Sequence, residues 1–143
     1  MSEKPKDFKA EIRKHFKDYS HIFLASQENH QPRVRPVTLV NLDQRFWVLT
    51  ETRSAKVKQI RENPKIEFCL FFEEGEHHGY IRAAGLAKII EDKETKDKVA
   101  RHCDFFTEHW ESLDDPNYTL LELELEEIEY LRSKERIVRK FMV

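Results

Sequence analysis

RPVTLVNLDQRFWVLTETRSAKVKQIRENP, residues 35–64, combines two apolar strand patterns, an Asp-Gln turn and a short helix. The strands are predicted at Arg33–Asn41 and Arg45–Thr50, and the helix at Ser54–Glu62 ends at Asn63-Pro64. The hairpin brings together one guanidinium, two hydroxyls and one ammonium, which belong to Arg35, Thr50, Ser54 and Lys56. Phosphate esters favour such donors together with the free N–H groups of a helix start. None of these residues is an obvious acid or base, so any chemistry is expected to belong to a bound cofactor.

Length and charge limit the function classes. The chain has 143 residues, of which 39% are apolar, 11% aromatic and 36% charged, and this predicts a single domain spanning 1–143. With a net charge of −2, the chain as a whole has no excess of positive charge for binding nucleic acid or an anionic membrane. Residues 33–65, however, hold eight Lys or Arg against three Asp or Glu. Such a local excess of positive charge suits a compact anionic ligand.

Cysteines and the N-terminus point to a reducing compartment. Cys69 lies in an apolar run and is expected to be a buried thiol, and Cys103 follows His102 without completing a metal-ligand pattern. The start MSEKPKDFKA has no apolar signal region, and no window is long enough to span a membrane. We therefore expect a cytoplasmic protein without a metal site.

The remaining patterns predict a mainly β fold with peripheral helices. Leu121, Leu123 and Leu125 alternate with glutamates, which we interpret as an edge strand whose acidic ladder, Glu122–Glu129, is solvated. Pro36 places its strand at an edge or a bulge, and Gly85 indicates a bulge in a long strand. The other expected elements are helices at 7–18 and 92–102, and a short helical or irregular aromatic segment at 105–113. Strands are expected at 21–26, 66–72 (central, apolar on both faces) and 80–91, with a polar loop at 73–79 and a last strand or docking segment at 135–143. About six strands in antiparallel neighbours fit a small barrel better than a βαβ array.

The order of several short motifs resembles the pyridoxamine-phosphate-oxidase-like flavin-binding split barrels, and the small general-stress-protein branch in particular. Gln31–Val37 is similar to the family's "G-x-P-x-x-R-P-V" strand, and Asn63–Ile66 is similar to its "N-P-x-V" strand entry. The other similar segments are Thr50, Ser54 and Lys56 (T-x-x-x-S-x-K), Gly85-Leu86-Ala87 with Glu91-Asp92, and Asp115–Tyr118 with Leu120-Leu121 and Glu129-Tyr130.

This resemblance implies a six-stranded antiparallel split β-barrel that forms a homodimer with FMN at the interface. Arg35, Ser54 and Lys56 would hold the FMN phosphate. The isoalloxazine and ribityl side would be lined by Pro36, Val37, Thr38, Leu49 and Thr50. Trp110 would reach the flavin edge from the other subunit. The implied activity is oxidoreduction of an unidentified small molecule, with a nicotinamide as a candidate electron donor.

The chain departs from the family pattern at three places, and the first two argue against true pyridoxamine-phosphate oxidation. The oxidase carries a Lys five residues after the strand Arg, where this chain has Val40. The C-terminal Arg-x-His substrate motif is absent from ERIVRKFMV, and Asn29-His30 stands where the first turn usually has glycine.

Other functions stay open for the same barrel. It could bind flavin without catalysis as a stress or sensor protein, or act as an empty dimeric interaction module. It could also bind a deazaflavin, or a haem ligated by His77, His78 or His102. His77-His78 on its own is more typical of a solvated loop than of a metal pair.

Overall fold

The computed structural model describes residues 5–143, with side chains from Phe8 onward, and in this part of the chain seven strands form one antiparallel sheet. The strands are β1 (Tyr19–Glu28), β2 (Gln31–Leu42), β3 (Arg45–Glu51), β4 (Lys65–Glu74), β5 (His77–Ile90), β6 (Tyr118–Leu131) and β7 (Arg139–Met142). The helices are α1 (Pro5–Arg13), α2 (Ala55–Glu62), α3 (Lys93–His102) and α4 (Phe106–His109). The predicted fold class, mainly β with peripheral helices, is confirmed.

The sheet closes into a ring of six strands. Its order is β3-β2-β1-β4-β5-β6, and β6 pairs back onto β3 from Tyr118 to Leu123. Closure removes the exposed strand edges that an open sheet would present. The seventh strand, β7, pairs with the far end of β6 through Glu127–Tyr130, so the tail does add a strand.

The ring is split between β2 and β3. These two strands form only three residue pairs, Val40–Trp47, Asn41–Phe46 and Leu42–Arg45. Beyond them β2 continues alongside β1 to Gln31, while β3 continues alongside β6 to Glu51. Residues 36–39 of β2 and 48–51 of β3 therefore face each other across a gap. The backbone edge that each segment turns towards this gap has no strand partner among the described residues. Pro36 pairs with Phe23 without a bulge, so the edge interpretation of this proline is the correct one.

Two-residue turns connect the first hairpins. Asn29 and His30 have φ of 50° and 68°, and Asp43 and Gln44 have φ of 57° and 59°. Left-handed residues at both central positions give the turn whose twist matches a hairpin, and Asn and Asp tolerate it best among non-glycine residues. The missing glycine is thus no obstacle. The polar loop predicted at 73–79 is wrong, because Gly75 takes φ 65° in a tight turn and His77 and His78 already belong to β5.

The barrel interior is filled by strand residues and by α1. Phe8, Ile12 and Phe16 are buried in it, as their spacing predicts, although the helix ends at Arg13 and not at Asp18. A second apolar cluster, here called the outer cluster, lies between the barrel wall and α3–α4. Its buried members are Val40, Trp47, Val99, Ala100, Cys103, Phe106, Trp110, Tyr118 and Leu120.

The prediction that β6 is a solvated edge strand is wrong. It pairs with β5 on one side and with β3 and then β7 on the other. Glu122 is only 6% exposed and accepts two hydrogen bonds of 2.6 Å from Arg45. The predicted bulge at Gly85 is confirmed by a register shift, and a Cβ there would lie 1.9 Å from the carbonyl oxygen of Glu124.

Candidate functional site

A cavity of about 530 Å³ lies where β2 and β3 part, and we call it the split cleft. Its size is within the usual range for small-molecule sites. The facing backbone edges of the two strands border it, so N–H and C=O groups without strand partners are available to a ligand. The lining side chains are Tyr19, His21, Pro36, Val37, Thr38, Val48, Leu49, Thr50, Glu51, Lys56, Phe105, Glu108, His109 and Trp110.

Most residues predicted for the site meet in this cleft. Seven of the nine line it directly: Pro36, Val37, Thr38, Leu49, Thr50, Lys56 and Trp110. The remaining two, Arg35 and Ser54, adjoin its Lys56 end: the hydroxyl of Ser54 lies 3.4 Å from that of Thr50, and Arg35 acts electrostatically on Lys56. The structure thus assembles the predicted set from β2, β3 and the start of α2.

Two cations occupy this end of the cleft without a carboxylate partner. The Lys56 ammonium donates to Thr50 Oγ1 at 2.6 Å. The Arg35 guanidinium donates to Ser26 Oγ at 2.8 Å, to Gln59 Oε1 at 2.8 Å and to the Leu24 carbonyl at 3.2 Å. All these acceptors are neutral, and neither cation forms an ion pair with another described residue. The site therefore holds two positive charges that no ion pair within the described chain neutralises.

The surroundings of the pair offset its positive charge only in part. Burial lowers the pKa of Lys56, and the positive charge of Arg35 lowers that pKa further, against a weaker opposing effect of Glu51. Burial also lowers the pKa of Arg35. Both side chains are thus held where their charged forms are disfavoured. An anion bound between them would relieve both the desolvation and the mutual repulsion.

The start of α2 adds backbone donors beside these cations. Ser54 is the N-cap residue, with extended φ and ψ, but its side chain makes no capping hydrogen bond. The first turn carries no acidic residue either. The first N–H groups of an α-helix have no partner within the helix and favour negative charge. The hydroxyls of Ser54 and Thr50 face the same region, so the donor set suits a phosphate group.

Sequence reasoning missed the residues that position Arg35. Ser26 and Gln59 are 2% and 3% exposed and hydrogen-bond to each other as well as to the guanidinium. A glutamine on the inner face of a helix could have indicated this contact, because a buried amide must find hydrogen-bond partners. The outer wall from Phe105 to His109 was also missed, because its position depends on how α3 and α4 pack against the barrel.

Trp110 lies in the wall of its own chain's cleft. Its ring is 5% exposed, its Nε1 donates to the Asn117 carbonyl at 3.0 Å, and it packs against Phe106 and Tyr118. Contact with a flavin across a subunit boundary stays a prediction.

The histidines considered as haem ligands are not in the cleft. His77 and His78 are exposed near the β4–β5 turn, and His102 has a buried Nε2 without a hydrogen-bond partner among the described residues. His21 and His109 line the cleft instead. Within residues 5–143 no group of three or more His, Cys, Asp or Glu side chains is arranged to hold a metal ion.

Comparison with known proteins identifies relatives of this chain. The family model described as Pyridoxamine 5'-phosphate oxidase matches residues 8–132. General stress protein 26 of Bacillus subtilis (strain 168) is 30% identical over 115 residues, which are 79% of this chain and 80% of that protein.

Solved structures share the fold over most of the chain. A protein related to general stress protein 26, from Clostridium acetobutylicum, superposes with a TM-score of 0.79 at 22% identity and covers 98% of this chain and 97% of its own. A heme binding protein from Mycobacterium smegmatis gives 0.71 at 15% identity over 86% of this chain and 53% of that one. Among residues 5–143, no helix has the length and apolar character needed to cross a membrane.

Proposed function

Because the chain belongs to the pyridoxamine 5'-phosphate oxidase family, we propose that it is an FMN-binding flavoprotein whose cofactor occupies the split cleft. The observation that carries this proposal is the cation pair of Arg35 and Lys56, which has no carboxylate partner among the described residues and lies beside an uncapped helix start. A phosphate ester supplies the missing negative charge. When bound, FMN supplies hydride and single-electron transfer.

The phosphate would be held by Arg35, Ser54 and Lys56 together with the first N–H groups of α2. Charge-assisted hydrogen bonds of this kind are worth about 1.5–3 kcal/mol each. Arg35 reaches the site already fixed by Ser26 and Gln59, so little side-chain entropy is lost on binding. The bound dianion would also raise the pKa of Lys56 towards its ordinary value and hold its proton.

The ring system would lie between the separated strands. Pro36, Val37 and Leu49 give this part of the cleft an apolar surface, and Thr38 and Thr50 add hydroxyls. The unpaired backbone edges of β2 and β3 match a heterocycle that needs both donors and acceptors along its rim. Trp110 and Phe105 close the outer side and limit access of water.

Binding of FMN and of riboflavin, which lacks the phosphate, tests this site. We expect FMN to bind at least about tenfold to 150-fold more tightly, because one charge-assisted hydrogen bond alone has that effect and several groups would contact the phosphate. Quenching of flavin fluorescence on titration measures both affinities. Equal affinities would refute the phosphate site while leaving a ring site standing.

We also propose that a second copy of the chain covers the outward face of β1, β2 and β4. Phe23, Val34 and Phe71 on this face are 52%, 68% and 49% exposed. Phe23 pairs with Pro36 on one side and Cys69 on the other, so the patch is continuous with the wall of the split cleft. An uncovered apolar surface of this kind is typical of an interaction site. A homodimer formed here would place its interface at the edge of each flavin site.

Sedimentation of a charge variant tests the dimer. A double variant, Phe23→Glu with Phe71→Glu, is expected to sediment as a monomer. Ile137→Glu is the matched control, because Ile137 is 71% exposed and belongs to the segment between β6 and β7, outside the three strands of this face, and it should leave the dimer intact. Dimers in both variants would place the interface elsewhere.

The proposed activity is oxidoreduction of a small molecule other than pyridoxamine phosphate. Val40 supports the exclusion, since it is fully buried in the outer cluster and offers no charge to a substrate phosphate. Glu51, Glu108, His21 and His109 line the cleft, and these carboxylates and imidazoles could exchange protons with a substrate. Steady-state assays with NADH or NADPH and common acceptors test turnover. A protein that binds FMN stoichiometrically but never turns over would be a flavin carrier or sensor.

Haem is the second candidate ligand for the same cleft. His21 and His109 border it, and a heme binding protein shares the fold. A Soret band in the purified protein, lost in His21→Ala or His109→Ala, would favour haem. A deazaflavin would instead give a flavin-like spectrum that lacks the long-wavelength band.

We further propose a reducing, cytoplasmic setting. Cys69 and Cys103 are both free thiols, and burial raises the pKa of Cys103 to about 12, which keeps it protonated and unreactive. The thermal midpoint is expected to be the same with and without a thiol reductant.

A further inference from the structure

A second cavity, here called the side cavity, opens where β6 changes partners. Up to Leu123 this strand pairs with β3, and from Glu127 it pairs with β7. Between these points the edge at Glu124 and Leu125 has no strand partner in the described part of the chain. The register shift against Ala84 and Gly85 bends β6 at the same place. The result is a lateral opening in the barrel wall that leads into a cavity of about 440 Å³ beneath α1.

The floor of the side cavity is apolar. Its apolar side chains come from α1 and the segment after it, and from β3, β6 and β7, and they include three aromatic rings and three branched aliphatic groups. They are Ile12, Phe16, Phe46, Leu125, Ile128 and Phe141. A pocket of this size and lining suits a small organic molecule with an apolar body. It shares no lining residue with the split cleft, so its occupant would bind independently of the flavin.

The rim of the side cavity has an excess of free positive charge. Its acidic side chains are already neutralised, since Glu122 is bound by Arg45 at 2.6 Å and Glu124 by Lys88 at 2.7 Å. Lys9 and Arg13, both exposed on α1, form no ion pair with another described residue. The rim therefore complements one negative group at the mouth. The unpaired backbone edge at Glu124–Leu125 offers further hydrogen bonds to a polar head.

We propose that the side cavity binds a small amphipathic anion, a carboxylate or sulfonate with an apolar body no larger than a decyl chain or a pair of fused rings. The body occupies the apolar floor, and the anionic group lies at the mouth against Arg13 and Lys9. Burial of the apolar body of the ligand supplies most of the affinity, since apolar burial is worth about 0.8 kcal/mol per methylene. The charge sets the orientation and the preference for anions.

Methyl-labelled protein titrated with decanoate and with naphthalene-1-sulfonate tests the proposal. Both probes are expected to shift the methyl signals of Ile12, Leu125 and Ile128 saturably, and to leave those of Val37 and Leu49 in the split cleft unchanged. Decylamine, with the same chain and the opposite charge, should bind at least about threefold more weakly than decanoate.

Two variants on α1 isolate the charge. Arg13→Gln should weaken binding of decanoate about three- to tenfold. Lys14→Gln removes the same charge from an exposed residue that does not line the cavity, and should leave the affinity unchanged. Leu125→Trp, which fills the cavity, should abolish the shifts while FMN binding is retained.

Three results would overturn the proposal. The first is the absence of any saturable shift at millimolar probe. The second is binding of decylamine as tight as that of decanoate. The third is a set of shifts confined to the outward patch around Val34 or to the split cleft. None of these bears on flavin binding, so this proposal and the proposed function fail separately.

Discussion

Replacing Lys56 with methionine separates binding from folding more cleanly than any other single change in the site. The methionine keeps the apolar stem of the lysine and removes only the ammonium. That ammonium lies at the end of the split cleft and donates to Thr50 at 2.6 Å. In the proposed complex it also donates to the FMN phosphate, so its loss should weaken the binding of FMN and spare the folded state.

The expected loss of affinity follows from one charge-assisted hydrogen bond. Such a bond is worth about 1.5–3 kcal/mol, which corresponds to a dissociation constant about tenfold to 150-fold higher. The free energy of unfolding changes much less. Losing the bond to Thr50 costs about 0.5–1.5 kcal/mol, but the variant no longer holds a half-buried cation near Arg35. We therefore expect the thermal midpoint of the flavin-free protein to move by no more than about 4 °C.

The assay compares FMN and riboflavin in both proteins by flavin fluorescence at several salt concentrations. Lys56→Met should weaken FMN binding and leave riboflavin binding unchanged, because riboflavin has no phosphate. The salt dependence of FMN affinity should also be shallower in the variant, since one cation fewer contacts the anion. Lys58→Met is the matched control, because Lys58 is an exposed residue of the same helix that does not line the cleft.

Two outcomes would refute the reasoning. One is an unchanged FMN affinity in Lys56→Met. The other is an equal loss of FMN and riboflavin affinity, which would mean that the lysine supports the ring or the fold and does not contact the phosphate.

The remaining predictions concern the supports of the site and of the barrel. Gln59→Leu removes the acceptor shared by Arg35 and Ser26, and should lower the free energy of unfolding in urea by about 2–3 kcal/mol; an unchanged midpoint would contradict this. Gly85→Ala should cost about 3 kcal/mol or more, because its Cβ would lie 1.9 Å from a backbone oxygen. Gly75→Ala, at φ 65° in open space, should cost only about 1–2 kcal/mol, and the reverse order of the two would count against the packing argument. The hydrogen bond from Arg132, with help from Tyr130, lowers the pKa of Glu11 below its ordinary value, so the stabilisation is present at neutral pH and is lost as the pH falls through the lowered pKa. Glu11→Gln should therefore lose less stability than the wild type between pH 7 and pH 3.5 in urea titrations, and equal losses would refute the linkage.

Local patterns in the sequence account for most of the fold. Period-2 alternation marks the strands, Asn29-His30 and Asp43-Gln44 mark the tight turns, and Gly85 marks the bulge. The resemblance in motif order adds the barrel closure, which no local pattern contains. The family and fold predictions are both confirmed.

The errors have two physical origins, contact between distant segments and local chain geometry. The acidic face of β6 has the pattern of a solvated edge, but Glu122 is buried by Arg45, 77 positions away. His77 and His78 follow a polar run that suggests a loop, but Gly75 closes a two-residue turn and extends the strands through it. The helix at the N-terminus ends early, although its apolar side chains continue inward to Phe16.

The residues of the candidate site fall into two groups, those that local sequence spacing predicts and those that depend on packing between distant segments. Arg35, Thr50, Ser54 and Lys56 could be predicted because strand, turn and helix spacing bring them together within one short segment. Ser26 and Gln59 could not be predicted, because they contact Arg35 only after β1, β2 and α2 have packed together. The wall from Phe105 to Trp110 depends in turn on the outer cluster beneath α3 and α4.

The visible absorption spectrum of the purified protein, recorded before and after incubation with excess FMN and desalting, shows whether the split cleft holds a flavin. We predict a retained flavin spectrum with about one FMN per chain. A colourless protein that releases all added FMN would contradict it, and a Soret band without flavin absorption would assign the split cleft to haem.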